Sequence, residues 1–153
     1  MALACDGQQN ELWKWNGNNF EKASGTIPMT TYNTKEVTSF EVNGETYLAF
    51  ANQNQKNEVR KWNGNEFIDT RENSIPFTKS NTKEVTSFEI NGETYLAFAN
   101  QYQKNGVRKW NGKRFTDISD NIPNPLPDER GNIEYTNSQA VTSFEIAGIT
   151  YLA

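Results

Sequence analysis

Apolar and polar residues alternate with a period of two over residues 38–42, which is typical of a β-strand with one buried face. Asn43–Gly44 follows directly and predicts a type I′ hairpin turn, because both residues tolerate a positive φ. A nearly continuous apolar run then covers residues 47–51, as in a strand that is buried on both faces. The pattern therefore predicts two antiparallel strands joined by a tight turn.

Two further strands are predicted downstream. Residues 59–62 form a third short strand segment, and Asn63–Gly64 predicts a second two-residue turn that leads to a strand at Phe67. The four elements together predict a four-stranded antiparallel meander.

This meander is repeated. Residues 33–64 and 81–112 are identical at all but three of 32 positions, at an offset of 48 residues. Partial copies occupy residues 12–17 and 141–153. The three differing pairs are Val42/Ile90, Asn54/Tyr102 and Glu58/Gly106.

We therefore predict a single repeat domain over residues 1–153, with approximate units 1–45, 46–93 and 94–153. The last unit is longer than the others, and its extra residues lie at 124–139, where proline and glycine predict a surface loop. Four strands in about 48 residues match a β-propeller blade. A sandwich and a β-solenoid remain open as alternatives for repeated hairpins. The predicted fold class is all-β, with about three propeller blades per chain.

Three phrases recur in phase: Phe-x-Ile/Val-x-Gly, Tyr-Leu-Ala-x-Ala-Asn and Val-x-Lys-Trp-Asn-Gly-x-x-Phe. They resemble the EPTP (epitempin) repeat, also called the epilepsy-associated or EAR repeat, over essentially the whole chain. The resemblance implies a propeller, typically seven-bladed, and an extracellular module that binds other proteins. The chain departs from that family in having only about three repeats and no leucine-rich domain before them. In the middle copy the resemblance rests on Phe40, Gly44, Tyr47, Leu48, Ala51, Asn52, Val59, Trp62, Asn63, Gly64 and Phe67.

Composition excludes several functions. The chain has no histidine and one cysteine, which removes Ser-His-Asp and Cys-His nucleophiles and the usual zinc sites. No carboxylate pair breaks the repeat symmetry, so we predict no enzyme activity and no cofactor. A net charge of -4 argues against nucleic acid, which needs an excess of Lys and Arg, and no apolar run is long enough to span a membrane. We predict no metal site, although the acidic segment 117–121 leaves calcium binding open. Residues 1–5 are too short and uncharged for a signal peptide.

The two ends of the chain are predicted to complement each other. Leu3–Ala4 and Leu152–Ala153 both correspond in sequence to Leu48–Ala49, so the first residues would supply the later strands of a blade and the last residues its first strands. Three blades cannot close alone, and a second copy would complete a six-bladed ring. A dimer is favoured over a ring of three chains or a fragment of a longer propeller. The predicted closure residues are Leu3, Ala4, Trp13, Tyr151 and Leu152.

Ligand contacts are predicted where the repeats differ. Trp13 corresponds to Arg60 and Arg108, a position that tolerates charge and is therefore expected near the surface. Asn54 corresponds to Tyr102, in loops rich in amide side chains that can both donate and accept hydrogen bonds. The predicted ligand is a protein or a glycan.

The recurring aromatic residues have two interpretations. Trp15, Trp62 and Trp110 favour packing between blades, and a stacking platform for sugar rings is the alternative. Phe40, Phe88 and Phe144 are predicted to be core. Beside a protein-binding module that assembles through shared blades, a multivalent propeller lectin and an engineered or truncated scaffold remain open.

Overall fold

The structure is a computed structural model that describes residues 2–3, 10–23, 33–70, 80–122 and 137–153. The described residues form strands and turns with one short 3₁₀ turn at Ser119–Asn121. No helix among them is long and apolar enough to cross a membrane. The strands are β1 (Ala2–Leu3), β2 (Glu11–Trp15), β3 (Phe20–Lys22), β4 (Thr34–Val42), β5 (Glu45–Gln55), β6 (Glu58–Trp62), β7 (Phe67–Asp69), β8 (Ser80–Ile90), β9 (Glu93–Asn100), β10 (Gly106–Trp110), β11 (Phe115–Asp117), β12 (Ser143–Ile146) and β13 (Ile149–Leu152).

The predicted all-β class and the four-stranded antiparallel meander are confirmed. Strands β4 to β7 form one meander and β8 to β11 form the next. The end of β5 also pairs with the start of β8, which joins the two meanders into a curled antiparallel sheet ordered β11-β10-β9-β8-β5-β6-β7, with β4 paired to β5. Strands β1 to β3 and β12 to β13 form two smaller sheets.

The first turn prediction is confirmed and the second is wrong. Asn43 and Gly44 both have positive φ, 52° and 75°, as a type I′ turn requires. Between β6 and β7, however, the loop has four residues, because Trp62 pairs with Phe67. The Asn63 side-chain oxygen accepts hydrogen bonds from the backbone N–H groups of Asn65 and Glu66 at 2.9 Å. That Asx-type capping stabilises a wider loop than an Asn-Gly pair alone predicts.

Strand β5 is buried on both faces, as predicted. Its two faces contact different units. Tyr47, Ala49 and Ala51 pack with residues of the following meander, including Phe98, whereas Leu48 and Phe50 form a cluster with Phe67 that also includes Leu12 from the preceding unit. The core therefore lies between units, and the first complete unit buries β5 against both neighbours.

The ladder register corrects the correspondence predicted for the N-terminal end. Ala2 pairs with Leu12, just as Ala49 pairs with Val59. Ala2 is therefore equivalent to Ala49 and Leu3 to Phe50, two strand positions further along than the sequence comparison placed them. Hydrogen-bonding register decides this equivalence, and a Leu-Ala pair is too short a match to fix it.

Two predictions concerned how the chain is divided: the loop insertion and the boundaries between units. The loop insertion at 124–139 falls outside the described residues except for 137–139. Each meander runs across one of the predicted boundaries at 45/46 and 93/94, because a tandem repeat can be divided at any phase.

Candidate functional site: the joint between repeat units

The joint between the two complete meanders is built from two aromatic pairs. Phe40 and Tyr47 stack with their ring centroids 5.5 Å apart. Trp110 and Phe115 of the next unit form a T-shaped pair at 5.2 Å. The pairs meet through Phe40–Phe115 at 5.7 Å and Tyr47–Trp110 at 6.0 Å. Such contacts contribute about 0.5–1.5 kcal/mol each beyond area burial, so the joint has its own stabilising core.

The same pairs recur at both outer units, where they are exposed. Phe144 and Tyr151 stack at 5.5 Å but remain 44% and 41% exposed, whereas Phe40 and Tyr47 are 8% and 2% exposed. Trp15 and Phe20 form the T-shaped pair at 5.2 Å. They are 57% and 51% exposed. The prediction that Phe144 is core is therefore wrong within one chain, because no described residue covers that face.

A buried polar relay crosses each joint. Asn57 Nδ2 donates to Thr82 Oγ1 at 2.8 Å, and Thr82 Oγ1 donates to Asn100 Oδ1 at 2.7 Å. One unit earlier, Asn10 Nδ2 donates to Thr34 Oγ1, which donates to Asn52 Oδ1, both at 2.8 Å. One unit later, Asn105 Nδ2 donates to Ser138 Oγ at 2.9 Å. The relay fixes how successive units sit against one another.

The relay was missed by sequence reasoning, which read the amide-rich loops as ligand contacts or polar turns. Within each loop, Asn52 N donates to Asn57 Oδ1 at 2.7 Å and Asn100 N donates to Asn105 Oδ1 at 2.9 Å. The signal was present, since asparagine recurs at 10, 57 and 105 and a hydroxyl at 34, 82 and 138. Only the fold shows that these two sets meet.

The position shared by Trp13, Arg60 and Arg108 was predicted to lie near the surface. That prediction is wrong for both arginines, which are 5% and 4% exposed, while Trp13 is half-buried. Arg60 donates from Nε and Nη2 to Glu58 Oε2 at 3.1 and 2.7 Å. Trp13 Nε1 donates to Glu11 Oε2 at 3.0 Å. Each side chain is thus held by an acid two residues earlier, and the arginine charge is buried only because it is paired.

Arg108 lacks that acid, because Gly106 replaces the glutamate of the previous unit. It pairs instead with Asp117, and Nη1 also donates to Ser119 Oγ at 2.7 Å and to the Val107 carbonyl at 3.1 Å. Burial lowers the pKa of the Arg108 guanidinium and Asp117 opposes that shift. One of the three differences between the copies is therefore a change of ion-pair partner.

Asn54 and Tyr102 lie at the same left-handed position, with φ of 61° and 60°. Asparagine adopts this backbone readily, whereas a tyrosine there is strained by roughly 1 kcal/mol. Tyr102 is also 68% exposed. Both features keep Tyr102 as a candidate contact for a partner.

The predicted closure residues are not brought together within one chain. Leu3 pairs through its backbone with Glu11 in β1–β2, and Tyr151 and Leu152 lie in β13 with 41% exposure each. The two sheets are separate. Ala4 lies outside the described residues.

The same lysine–glutamate ion pair occurs in both complete units. Lys61 Nζ lies 2.6 Å from Glu45 Oε1 and Lys109 Nζ lies 2.7 Å from Glu93 Oε2. The hydrogen bond from Lys61, followed by that from Tyr47, lowers the pKa of the Glu45 carboxyl. Burial, followed by the Glu45 hydrogen bond, raises the pKa of Tyr47 to about 12.

Across the described ranges, no group of three or more His, Cys, Asp or Glu could hold a metal ion. Asp117, in the segment that left calcium open, accepts hydrogen bonds from Arg108 and Ser119. Comparison of the sequence with models of protein families and with curated proteins found no match.

Proposed function

We propose that this chain is a non-catalytic binding module of the β-propeller type, in which each four-stranded meander is a blade. Its function is protein–protein interaction, and its first partner is a second copy of the chain, with which it assembles through shared blades into a six-bladed ring. The resemblance to EPTP repeats adds an extracellular setting to this proposal.

One observation supports it most strongly. Aromatic residues at equivalent positions of the repeat are covered by a neighbouring unit in the middle of the chain and exposed in the two outer units. A 41–57% exposure of Trp15, Phe20, Phe144 and Tyr151 is costly, since large apolar side chains gain about 1.5–3 kcal/mol each on full burial. Surfaces of this kind mark protein interaction sites.

The joint itself favours stacked blades. The first complete unit buries one face of β5 on the preceding unit and the other face on the following unit. In the second complete unit, Val141 of the following unit packs against the cluster of Tyr95, Ala97 and Val107. Repeat proteins whose units contact only their neighbours stabilise themselves in this way.

The lectin alternative needs an open aromatic face in each unit. Trp62 and Trp110 are half-buried and pack on Phe67 and Phe115 at 5.0 and 5.2 Å. Trp15 alone of the three presents a wide surface. This arrangement favours protein packing, and sugar binding becomes an outcome of the test.

The test is the mass of the purified chain by light scattering from about 1 to 100 μM, a range that covers typical transient and stable interfaces. We expect twice the 17.4 kDa of one chain. A single-chain mass at every concentration would contradict assembly through shared blades. A glycan array on the same sample separates the two binding functions, because selective glycan binding would favour the lectin.

A further inference from the structure

We infer that Trp15 and Phe20 of one copy pack on Phe88 and Tyr95 of a second copy, and that β13 of the second copy pairs with β2 of the first. Each shared blade then consists of β12 and β13 from one chain and β2 and β3 from the other. This inference rests on the proposed function and names the residues of its interface.

The template for the contact is the covered joint within the chain. There, a stacked Phe–Tyr pair (Phe40 and Tyr47) receives a T-shaped Trp–Phe pair from the next unit (Trp110 and Phe115). The repeat offset of 48 residues makes Phe88 and Tyr95 the equivalent receiving pair of the following unit. They stack at 5.3 Å and 17°, close to the 5.5 Å and 14° of Phe40 and Tyr47.

The receiving face is an apolar cavity. Its volume is about 330 Å³, and it is lined by Phe88, Tyr95, Val107, Ile118, Ile122 and Leu152, among others. In the covered joint the equivalent place is filled by Trp110 and Phe115. The following unit supplies only β12 and β13 to the described structure, so no Trp–Phe pair reaches the cavity from it.

The occupant already has the required shape. Trp15 and Phe20 hold a centroid distance of 5.2 Å and an angle of 62°, against 5.2 Å and 61° for Trp110 and Phe115. A preorganised aromatic pair loses little conformational entropy on docking. A second copy is therefore a partner that carries the fitting pair in the fitting geometry.

The strand register follows from the complete units. Tyr47 pairs with Lys61 and Leu48 with Arg60, so Tyr151 is placed opposite Lys14, and Leu152 opposite Trp13, of the other copy. Ala2 and Leu3 of β1 pair with Leu12 and Glu11 of β2. Strand β13 of a second copy thus extends the ladder beyond β1, and its next residue, Ala153, takes the place of Ala2 opposite Leu12.

The charged residues change in a matching way at the two outer sheets. In a complete unit Glu45 pairs with Lys61, but the residue equivalent to Glu45 in β13 is Ile149. Lys14, the equivalent of Lys61, instead pairs with Glu21 at 2.9 Å, and Glu21 stands where complete units have Ile68 or Thr116. Strand β13 thus lacks the glutamate of a complete unit, and Glu21 in β3 takes its role. Lys14 therefore keeps an ion-pair partner in a blade built from β12 and β13 of one chain and β2 and β3 of the other.

Disulfide trapping tests the register. Lys14→Cys and Tyr151→Cys are made in separate chains that also carry Cys5→Ser, and the two variants are mixed and oxidised. Directly opposite residues of an antiparallel pair have Cβ atoms about 4.5–5.5 Å apart, near disulfide range. We expect a covalent pair in the mixture and none with either variant alone. Lys14→Cys mixed with Lys113→Cys is the matched control, because Lys113 is an exposed residue of the β10–β11 loop and lies in no strand ladder.

A second measurement tests the interface without the cysteine variants, in case one of them fails to fold. Trp15→Ala alters an exposed side chain, and loss of a central aromatic anchor should raise the dimer dissociation constant by about 30-fold or more. Lys113→Ala, at an exposed residue of the β10–β11 loop, should leave it unchanged. A dimeric mass with no trapped pair and no effect of Trp15→Ala overturns this inference and leaves the proposed dimer standing. Equal trapping in the control mixture also overturns it. A single-chain mass for the parent protein overturns the proposed assembly itself, and the outer faces then belong to another partner.

Discussion

Replacement of Thr82 by valine tests whether the buried relay holds neighbouring units together. Thr82 is fully buried, and its hydroxyl accepts from Asn57 and donates to Asn100 at 2.8 and 2.7 Å. Valine has the same shape without the hydroxyl. The substitution therefore leaves the amide of Asn57 without its acceptor and the oxygen of Asn100 without its donor, while the apolar packing stays almost unchanged.

The expected loss is set by those two groups. A buried polar group that loses its partner costs about 1–3 kcal/mol, so two such groups cost about 2–6 kcal/mol. The added methyl offsets roughly 0.8 kcal/mol. We expect Thr82→Val to lower the free energy of unfolding by about 2–4 kcal/mol, a large part of the roughly 5–15 kcal/mol of an ordinary domain.

The assay is urea unfolding followed by tryptophan fluorescence at one fixed protein concentration, because any self-association would add to the apparent stability. The midpoint should fall with the slope unchanged. Thr86→Val is the matched control, since Thr86 lies four residues along the same strand and its hydroxyl makes no hydrogen bond to any residue that the structure describes. A loss below about 0.5 kcal/mol for Thr82→Val, or an equal loss for Thr86→Val, would refute the reasoning.

Two further predictions concern the core and the ion pairs. Phe98→Ala should lower the free energy of unfolding by about 3–5 kcal/mol in the same urea assay, because Phe98 is almost fully buried in the main inter-unit cluster. Tyr102→Ala should change it by no more than about 0.5 kcal/mol. Similar losses for the two variants would contradict the packing. The pKa of Glu45 and of Glu93 is lowered in the folded chain by their lysine partners, so their stabilisation is present above the ordinary value of 4.5 and is lost as the pH falls through the lower folded pKa. As the pH decreases below about 4.5, the urea concentration at the unfolding midpoint should therefore decrease. The decrease should be smaller for the double variant Glu45→Gln/Glu93→Gln. An identical pH profile for that variant and the parent protein would contradict the assignment.

Local patterns predicted the strands because strand formation here depends on neighbours in sequence. The alternation ending at Val42, the Asn43–Gly44 turn and the apolar run from Tyr47 carry their own register and burial. The Asn63–Gly64 loop shows where this stops. The same dipeptide gives a wider loop there. The Asn63 side chain accepts hydrogen bonds from two backbone amides, and the Asn63 backbone does not have the positive φ of Asn43.

The joint could be predicted only in part. Recurrence of Trp15, Trp62 and Trp110 favoured packing between units. The structure adds Phe115 beside Trp110 and the Phe40–Tyr47 pair that receives them. The burial of Arg108 could not be inferred from a position that holds tryptophan in another unit. It depends on Asp117 across the β10–β11 ladder and on Ser119 in the following turn. Contacts between units are long-range, and one sequence carries no direct record of them.

The same physical arrangement explains both the stability of the middle of the chain and the exposed faces of its outer units. A unit of this repeat cannot bury its own aromatic pairs, because the stacked pair and the T-shaped pair of one unit face opposite neighbours. Phe40 and Tyr47 pack against Trp110 and Phe115 of the next unit. The relay through Thr82 likewise takes its donor from the previous unit. Core and interface are therefore the same set of residues, distinguished only by whether a neighbour is present. For that reason a residue such as Trp15 is structural in kind and still available as a contact for a second molecule.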